Sequence, residues 1–124
     1  MKIVITSSVE NLDGDMDPRF GRCANFIVVD TETLEFEAIP NPAVSAPGGA
    51  GIQAAQFIAE QKVDAVVSGN YGPNAYGVLS AASMDLYQAQ SMMTIREVLE
   101  AFKAGELQKV GQPTSRSHSG MRGS

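Results

Sequence analysis

Histidine and cysteine are nearly missing from this chain: its 124 residues hold one of each, Cys23 and His118. A single cysteine excludes an internal disulfide and fits a reducing compartment. A lone histidine in a Gly/Ser/Arg-rich stretch leaves no Ser-His-Asp or Cys-His hydrolase, because His118 would have to fold back onto the core. No apolar run approaches membrane-spanning length. The run Ile3-Val4-Ile5 is too short for the apolar part of a signal peptide, so the expectation is a cytoplasmic protein that does not engage membranes. Carboxylates are absent from Ile3-Val4-Ile5-Thr6 and Ala65-Val66-Val67-Ser68. A two-metal nuclease needs several on its central strands, to hold ions about 4 Å apart. Asp30 ends its strand and Asp64 begins its own, and the two are not expected to pair. The stretch Asp13-Gly14-Asp15-Met16-Asp17 starts like a calcium loop. It then offers Pro18 and Ala24 where an EF-hand needs Gly and Glu, so a solvated acidic loop is the better account. Pro47-Gly48-Gly49-Ala50-Gly51 lacks the Lys-Ser/Thr ending of a phosphate loop and does not directly follow an apolar strand, which removes nucleotide hydrolysis.

Net charge is −5, which argues against non-specific nucleic-acid binding. The charge is segregated. Residues 1–106 hold all 14 acids and six of the bases, whereas the stretch from Leu107 holds Lys109, Arg116 and Arg122 and no acid. That stretch has no apolar period and reads as a disordered tail, residues 108–124, behind one domain of residues 1–107.

Ile3-Val4-Ile5, Phe26-Ile27-Val28-Val29 and Val63 to Ser68 are apolar runs of the kind buried on both faces of a sheet. Leu34 to Ile39 alternates, so one face is wet, and the four residues before it predict a hairpin. Met84 to Gln88 is less apolar and reads as an edge strand. Helical spacing joins Ile52, Ala55, Ile58 and Ala59, then Ala75, Val78, Leu79 and Ala82, then Ile95, Val98, Leu99 and Phe102. Pro73 suits a first helical position. Thr94 and Glu97 fit a capping box, and Gly105 ends the last helix. The order β, β, β, α, β, α, β, α describes a mixed α/β sheet of five strands covered by three helices.

Ligands in such sheets sit beyond the carboxyl ends of the parallel strands. The loop Asp17-Pro18-Arg19-Phe20-Gly21-Arg22-Cys23 descends from that rim. Arg19 and Arg22 can hold oxyanions with paired hydrogen bonds. Gly21 permits close backbone approach, and Cys23, beside cations, can ionise and ligate a metal. Helices opening near Gly49, Gly51, Gly72 and Asn74 present free N–H groups, with Asn70 beside them. The same residues also admit a plain structural reading. Arg19 can pair with Asp17, Phe20 can plug the core, Cys23 can pack as a small apolar side chain, the glycines can serve tight entries, and Asn70 and Asn74 can cap turns.

Asp17-x-Arg19-Phe20-Gly21-Arg22 leading into Phe26-Ile27-Val28-Val29-Asp30 resembles the dinitrogenase iron–molybdenum-cofactor-binding family. Gly49-x-Gly51, then Val63 to Gly69 followed by Gly72-Pro73-Asn74-Ala75, then Thr94-x-x-Glu97 through Phe102, Gly105 and Leu107 extend the resemblance over residues 1–107. It implies a ribonuclease-H-like fold with strand order 3-2-1-4-5 and strand two antiparallel. It also implies a small stand-alone relative of nitrogenase cofactor carriers, one that binds an iron–sulfur or iron–molybdenum-type cluster or precursor without transforming it. Cysteine and histidine ligands are expected in such carriers, yet the core here offers Cys23 alone. That cannot supply four thiolates, so a pre-assembled anionic cluster held reversibly is the form that fits. The expected partners are the cluster or a cluster-assembly protein, with the chain a monomer or weak homodimer. A metal-free interaction or regulatory module and a small-anion binder remain open beside it.

Overall fold

The computed structural model describes residues 1–90 and 92–114. Strand β1, Lys2–Ser7, is buried from Ile3 onward. It lies between β2, Asn25–Asp30, which is antiparallel to it, and β4, Ala65–Ser68, which is parallel. Strand β3, Phe36–Pro40, closes the expected hairpin against β2. Its turn is tightened by the Asp30 carboxylate, which accepts from the Glu32 and Thr33 amides at 2.8 and 3.2 Å. Strand β5, Asp85–Gln88, runs parallel to β4.

The sheet order is β3-β2-β1-β4-β5-β6, so it has six strands and not the five expected. The first five follow the implied order. The sixth, β6 at Gln108–Lys109, pairs with Tyr87 and Gln88 and comes from the stretch read as a disordered tail. Its two residues are exposed and carry no apolar pattern; what orders them is the open edge of β5. Lys109 Nζ meets Asp85 at 3.1 Å, and the Val110 amide donates to the Leu86 carbonyl at 2.7 Å. Residues 115–124, with His118, lie outside the described residues.

Helices α1, Ala50–Ala59, and α2, Pro73–Ala81, cover one face of the sheet. They bury Ala54, Ala55, Ile58, Ala75 and Leu79 against Val4, Phe26, Val66 and Leu86. Helix α3, Ile95–Lys103, covers the other face with Leu12 and Met16, over Ile3, Ile5, Ile27 and Val67. Successive strand residues point to opposite faces, so each apolar run feeds both cores. No helix among the described residues is long and apolar enough to cross a membrane.

Candidate functional site

All the loops after β1, β3, β4 and β5 emerge at one rim, because β3 runs parallel to β1 and the first residue of β2, Asn25, lies opposite Ser7. Two hydroxyls pin the loop after β1 to that rim. Thr6 Oγ1 donates to the Asp17 carbonyl at 2.6 Å and lies 2.9 Å from Ser68 Oγ, both fully buried. The loop then forms a short 3-10 turn, Phe20–Arg22. Phe20 enters the core, its ring centre 5.7 Å from Phe26 and 5.8 Å from Tyr71.

Arg19 stays at the surface, its side chain 68% exposed, and is gripped by the buried Asp17. Nε reaches Oδ1 at 3.2 Å, Nη2 reaches Oδ2 at 3.1 Å, and the Arg19 amide reaches Oδ1 at 2.9 Å. This pairing raises the guanidinium pKa above its ordinary value and fixes its plane. Neither of these side-chain bonds uses Nη1. Arg19 also bridges Asn70 in parallel fashion, which joins the loop to the β4–α2 turn. Arg22 behaves differently. Its Nη1 donates to the Ala46 and Val44 carbonyls at 2.8 and 3.3 Å, so it fastens the segment that leads into α1.

The glycines have structural reasons of their own. A Cβ on Gly21 would stand 3.0 Å from the Gly51 backbone, so the turn lies directly against the start of α1. Gly49, the N-cap of α1, has φ of 71°, the left-handed region that favours glycine. Gly51 faces Ala75 across the α1–α2 contact, with its built Cβ 3.6 Å away. These contacts place the openings of α1 and α2 side by side, with Gly72 as the α2 N-cap and Asn74 exposed in its first turn.

Neither opening has a side-chain cap or an acid in its first turn. The contrast with α3 is direct. There the Ile95 and Arg96 amides donate to the Gly14 and Leu12 carbonyls, and Thr94 and Glu97 close a capping box. The first-turn amides of α1 and α2 find no such acceptors among the described residues. Two aligned, unsatisfied helix starts beside a guanidinium form an environment that favours anions.

Cys23, expected as the metal ligand, does not reach this surface. The residue is fully buried, its thiol donates to the Phe20 carbonyl at 3.4 Å, and Asn41 Nδ2 approaches the sulfur at 3.8 Å. Burial, and then the nearby Asp17 charge, push its pKa up to about 12. A thiol so held is neither ionised nor reachable at neutral pH. Among the described residues no group of three or more His, Cys, Asp and Glu is placed to hold a metal ion. Asp30 and Asp64 flank Lys2 at the opposite rim, on either side of β1. Asp64 Oδ2 accepts from the Lys2 amide at 3.1 Å, and among the described residues no third His, Cys, Asp or Glu joins the pair to make a metal site.

With this geometry in place, the family model for "Dinitrogenase iron-molybdenum cofactor" matches residues 1–105. The chain belongs to the dinitrogenase iron-molybdenum cofactor family. An uncharacterised protein of Methanocaldococcus jannaschii is 36% identical over 97 residues, 76% of this chain and 81% of that protein. The apo form of the orange protein from Desulfovibrio gigas is 35% identical with a TM-score of 0.88, over 92% of this chain and 96% of that one. A NifB-like protein from Thermotoga, assigned to the DUF35 family, is 28% identical with a TM-score of 0.79, over 92% and 97%.

Two residues of this family member escape a reading by motif. Asn41, between two prolines, is buried and ties the loop together. Its Nδ2 donates to the Gly21 and Cys23 carbonyls at 3.1 and 2.9 Å, and its Oδ1 accepts from the Ala43 amide. Tyr71, placed in a turn by the pattern, is fully buried, with its hydroxyl 2.8 and 3.0 Å from the Tyr87 and Val66 carbonyls. A polar Asn inside Pro-x-Pro and an aromatic inside a Gly-rich turn are the only traces either leaves in the sequence.

Proposed function

We propose that this protein is a non-enzymatic cytoplasmic carrier. Its cargo is a pre-assembled, negatively charged metal–sulfur cluster of the iron–sulfur or iron–molybdenum kind, which it exchanges with a cluster-assembly protein. The observation that carries this reading is the pair of uncapped helix starts of α1 and α2 beside the oriented guanidinium of Arg19. The cargo brings its own sulfides, and the rim supplies donors to them: Arg19 Nη1 and the amides near Gly49, Gly51, Gly72 and Asn74, with Asn70 at the edge. Gly21 and Arg22 act by holding the α1 entry in place. No protein thiolate is required, so binding is reversible.

Anaerobic titration with a thiomolybdate anion and with an iron–sulfur donor, read by absorbance and metal per chain, tests this. Wild type takes up one of them; Arg19→Gln weakens uptake about tenfold, the loss of one charge-assisted hydrogen bond; Cys23→Ala leaves it unchanged. No uptake by wild type refutes the proposal. The burial of Cys23 favours a second reading, a metal-free interaction module of cluster assembly. That reading expects metal-free protein to retain a stoichiometric partner. Stabilisation by inorganic phosphate alone would mark a small-anion binder.

A further inference from the structure

The turn that opens α2, residues 69–72, is tied from outside at three points. Gln88 Nε2 reaches across from β5 and donates to the Gly69 carbonyl at 2.8 Å. The Tyr71 hydroxyl is anchored on the Tyr87 and Val66 carbonyls. The third tie comes from beyond β6. Lys109 Nζ is fixed on Asp85, the Val110 amide donates to the Leu86 carbonyl, and the strap 110–114 then returns to the turn. There the Thr114 amide donates to the Tyr71 carbonyl at 3.0 Å, and the Tyr71 amide donates to Thr114 Oγ1 at 2.8 Å.

This reciprocal pair takes up both backbone polar groups of Tyr71, and its effect passes into the next peptide. The Tyr71–Gly72 bond is trans and planar, so the Tyr71 carbonyl and the Gly72 N–H point in opposite directions. A carbonyl held on Thr114 therefore aims the Gly72 N–H away from the strap. Gly72 is the N-cap of α2, and its amide finds no backbone acceptor among the described residues. Asn70, in the same turn, is bridged to Arg19. One short turn thus joins the strap, the guanidinium and the α2 amides. Hydrogen bonds weaken steeply as they bend, so a tilt of this turn costs the donors their aim.

We infer that Thr114 is a positioning residue of the proposed carrier site: through its bonds to Tyr71 it holds the α2 amides in line with the anionic cargo. This rests on the carrier reading above. The test titrates the full chain anaerobically with a thiomolybdate anion and with an iron–sulfur donor, and measures the urea midpoint of each protein beside its affinity. Variants are Thr114→Val, which keeps the shape but loses the oxygen that accepts from Tyr71, Thr114→Ser, which keeps that oxygen, and Arg19→Gln. Thr94→Ala, which loses a cap on the other face of the sheet, is the control for lost stability alone. Thr114→Val binds about tenfold more weakly, on the order of one misaligned charge-assisted hydrogen bond, and its Tyr71 amide exchanges faster with solvent. Thr114→Ser and Thr94→Ala bind like wild type. If Arg19→Gln weakens binding while Thr114→Val matches wild type, this inference fails and the carrier reading stands. Equal losses in Thr114→Val and Thr94→Ala, or no rescue by Thr114→Ser, also overturn it, because the effect is then one of folding or of shape. If wild type takes up neither probe, both readings fail.

Discussion

Raising the pH from 8 to 10 should destabilise this protein in a way that Cys23 controls. In the unfolded chain the thiol releases its proton near 9.0, whereas in the fold burial holds it up to about 12. The folded pKa is the higher one, so the contribution to stability is complete below 9.0 and is lost as pH climbs toward 12. At pH 10, about one unit above the unfolded value, the loss is about 1.4 kcal/mol. The buried phenol of Tyr71 adds about 0.4 kcal/mol of loss at the top of this window, where the pH reaches its unfolded value of 10.0, and it and the Asp85-paired Lys109, both raised, contribute more at higher pH. Urea unfolding at pH 8, 9 and 10 measures the slope. Cys23→Ala costs about 1 kcal/mol at pH 8, from the small cavity, but keeps only the shallow slope that Tyr71 contributes near pH 10. Iodoacetamide should label the thiol in denaturant and leave the native protein unlabelled. Native labelling at the denatured rate, or an undiminished slope in Cys23→Ala, would refute the buried-thiol account and restore Cys23 as a candidate ligand.

Two further outcomes follow from packing and capping. Gly69→Ala should destabilise by about 1–3 kcal/mol, because its Cβ would stand 2.6 Å from Pro18 Cβ and 2.7 Å from Pro18 Cα; an unchanged urea midpoint would show that the two rim loops are not in contact. Thr94→Ala removes the capping box of α3 and should cost about 1 kcal/mol in urea unfolding. It should leave thiomolybdate affinity untouched, since α3 lies on the other face of the sheet.

The fold was legible where burial patterns run long. Ile3 to Ile5, Phe26 to Val29 and Val63 to Ser68 could only be strands covered on both sides, and the Thr94–Glu97 box marked its helix by chemistry alone. β6 was not legible, because two exposed residues become a strand only when an edge is already there to accept them. The site was legible as a place and less so as a set of roles. The Asp17-to-Cys23 run does sit at the rim, yet side-chain direction separates its members. Phe20 and Cys23 turn inward, Arg22 turns to the loop before α1, and Arg19 alone faces out on a buried carboxylate. Nothing in the spacing of those seven residues encodes that division. It follows from how closely the turn must approach Gly51.

The unequal treatment of the three helix starts bears on what the rim can do. Capping α3 shows that this chain can satisfy helix amides with loop carbonyls and a Thr–Glu pair. At α1 and α2 the corresponding N-cap positions are Gly49 and Gly72, which have no side chain to offer. With glycine in place, each forgone side-chain cap costs only about a few tenths of a kcal/mol of stability. A ligand that accepts from these amides recovers that energy only while bound, so the energy appears as affinity instead of stability. With a few charge-assisted bonds of about 1.5–3 kcal/mol each, offset by the entropy of association, binding falls near the micromolar range. That strength suits cargo that must be handed on, and it is weaker than the multiple iron–thiolate bonds of a resident cluster would give.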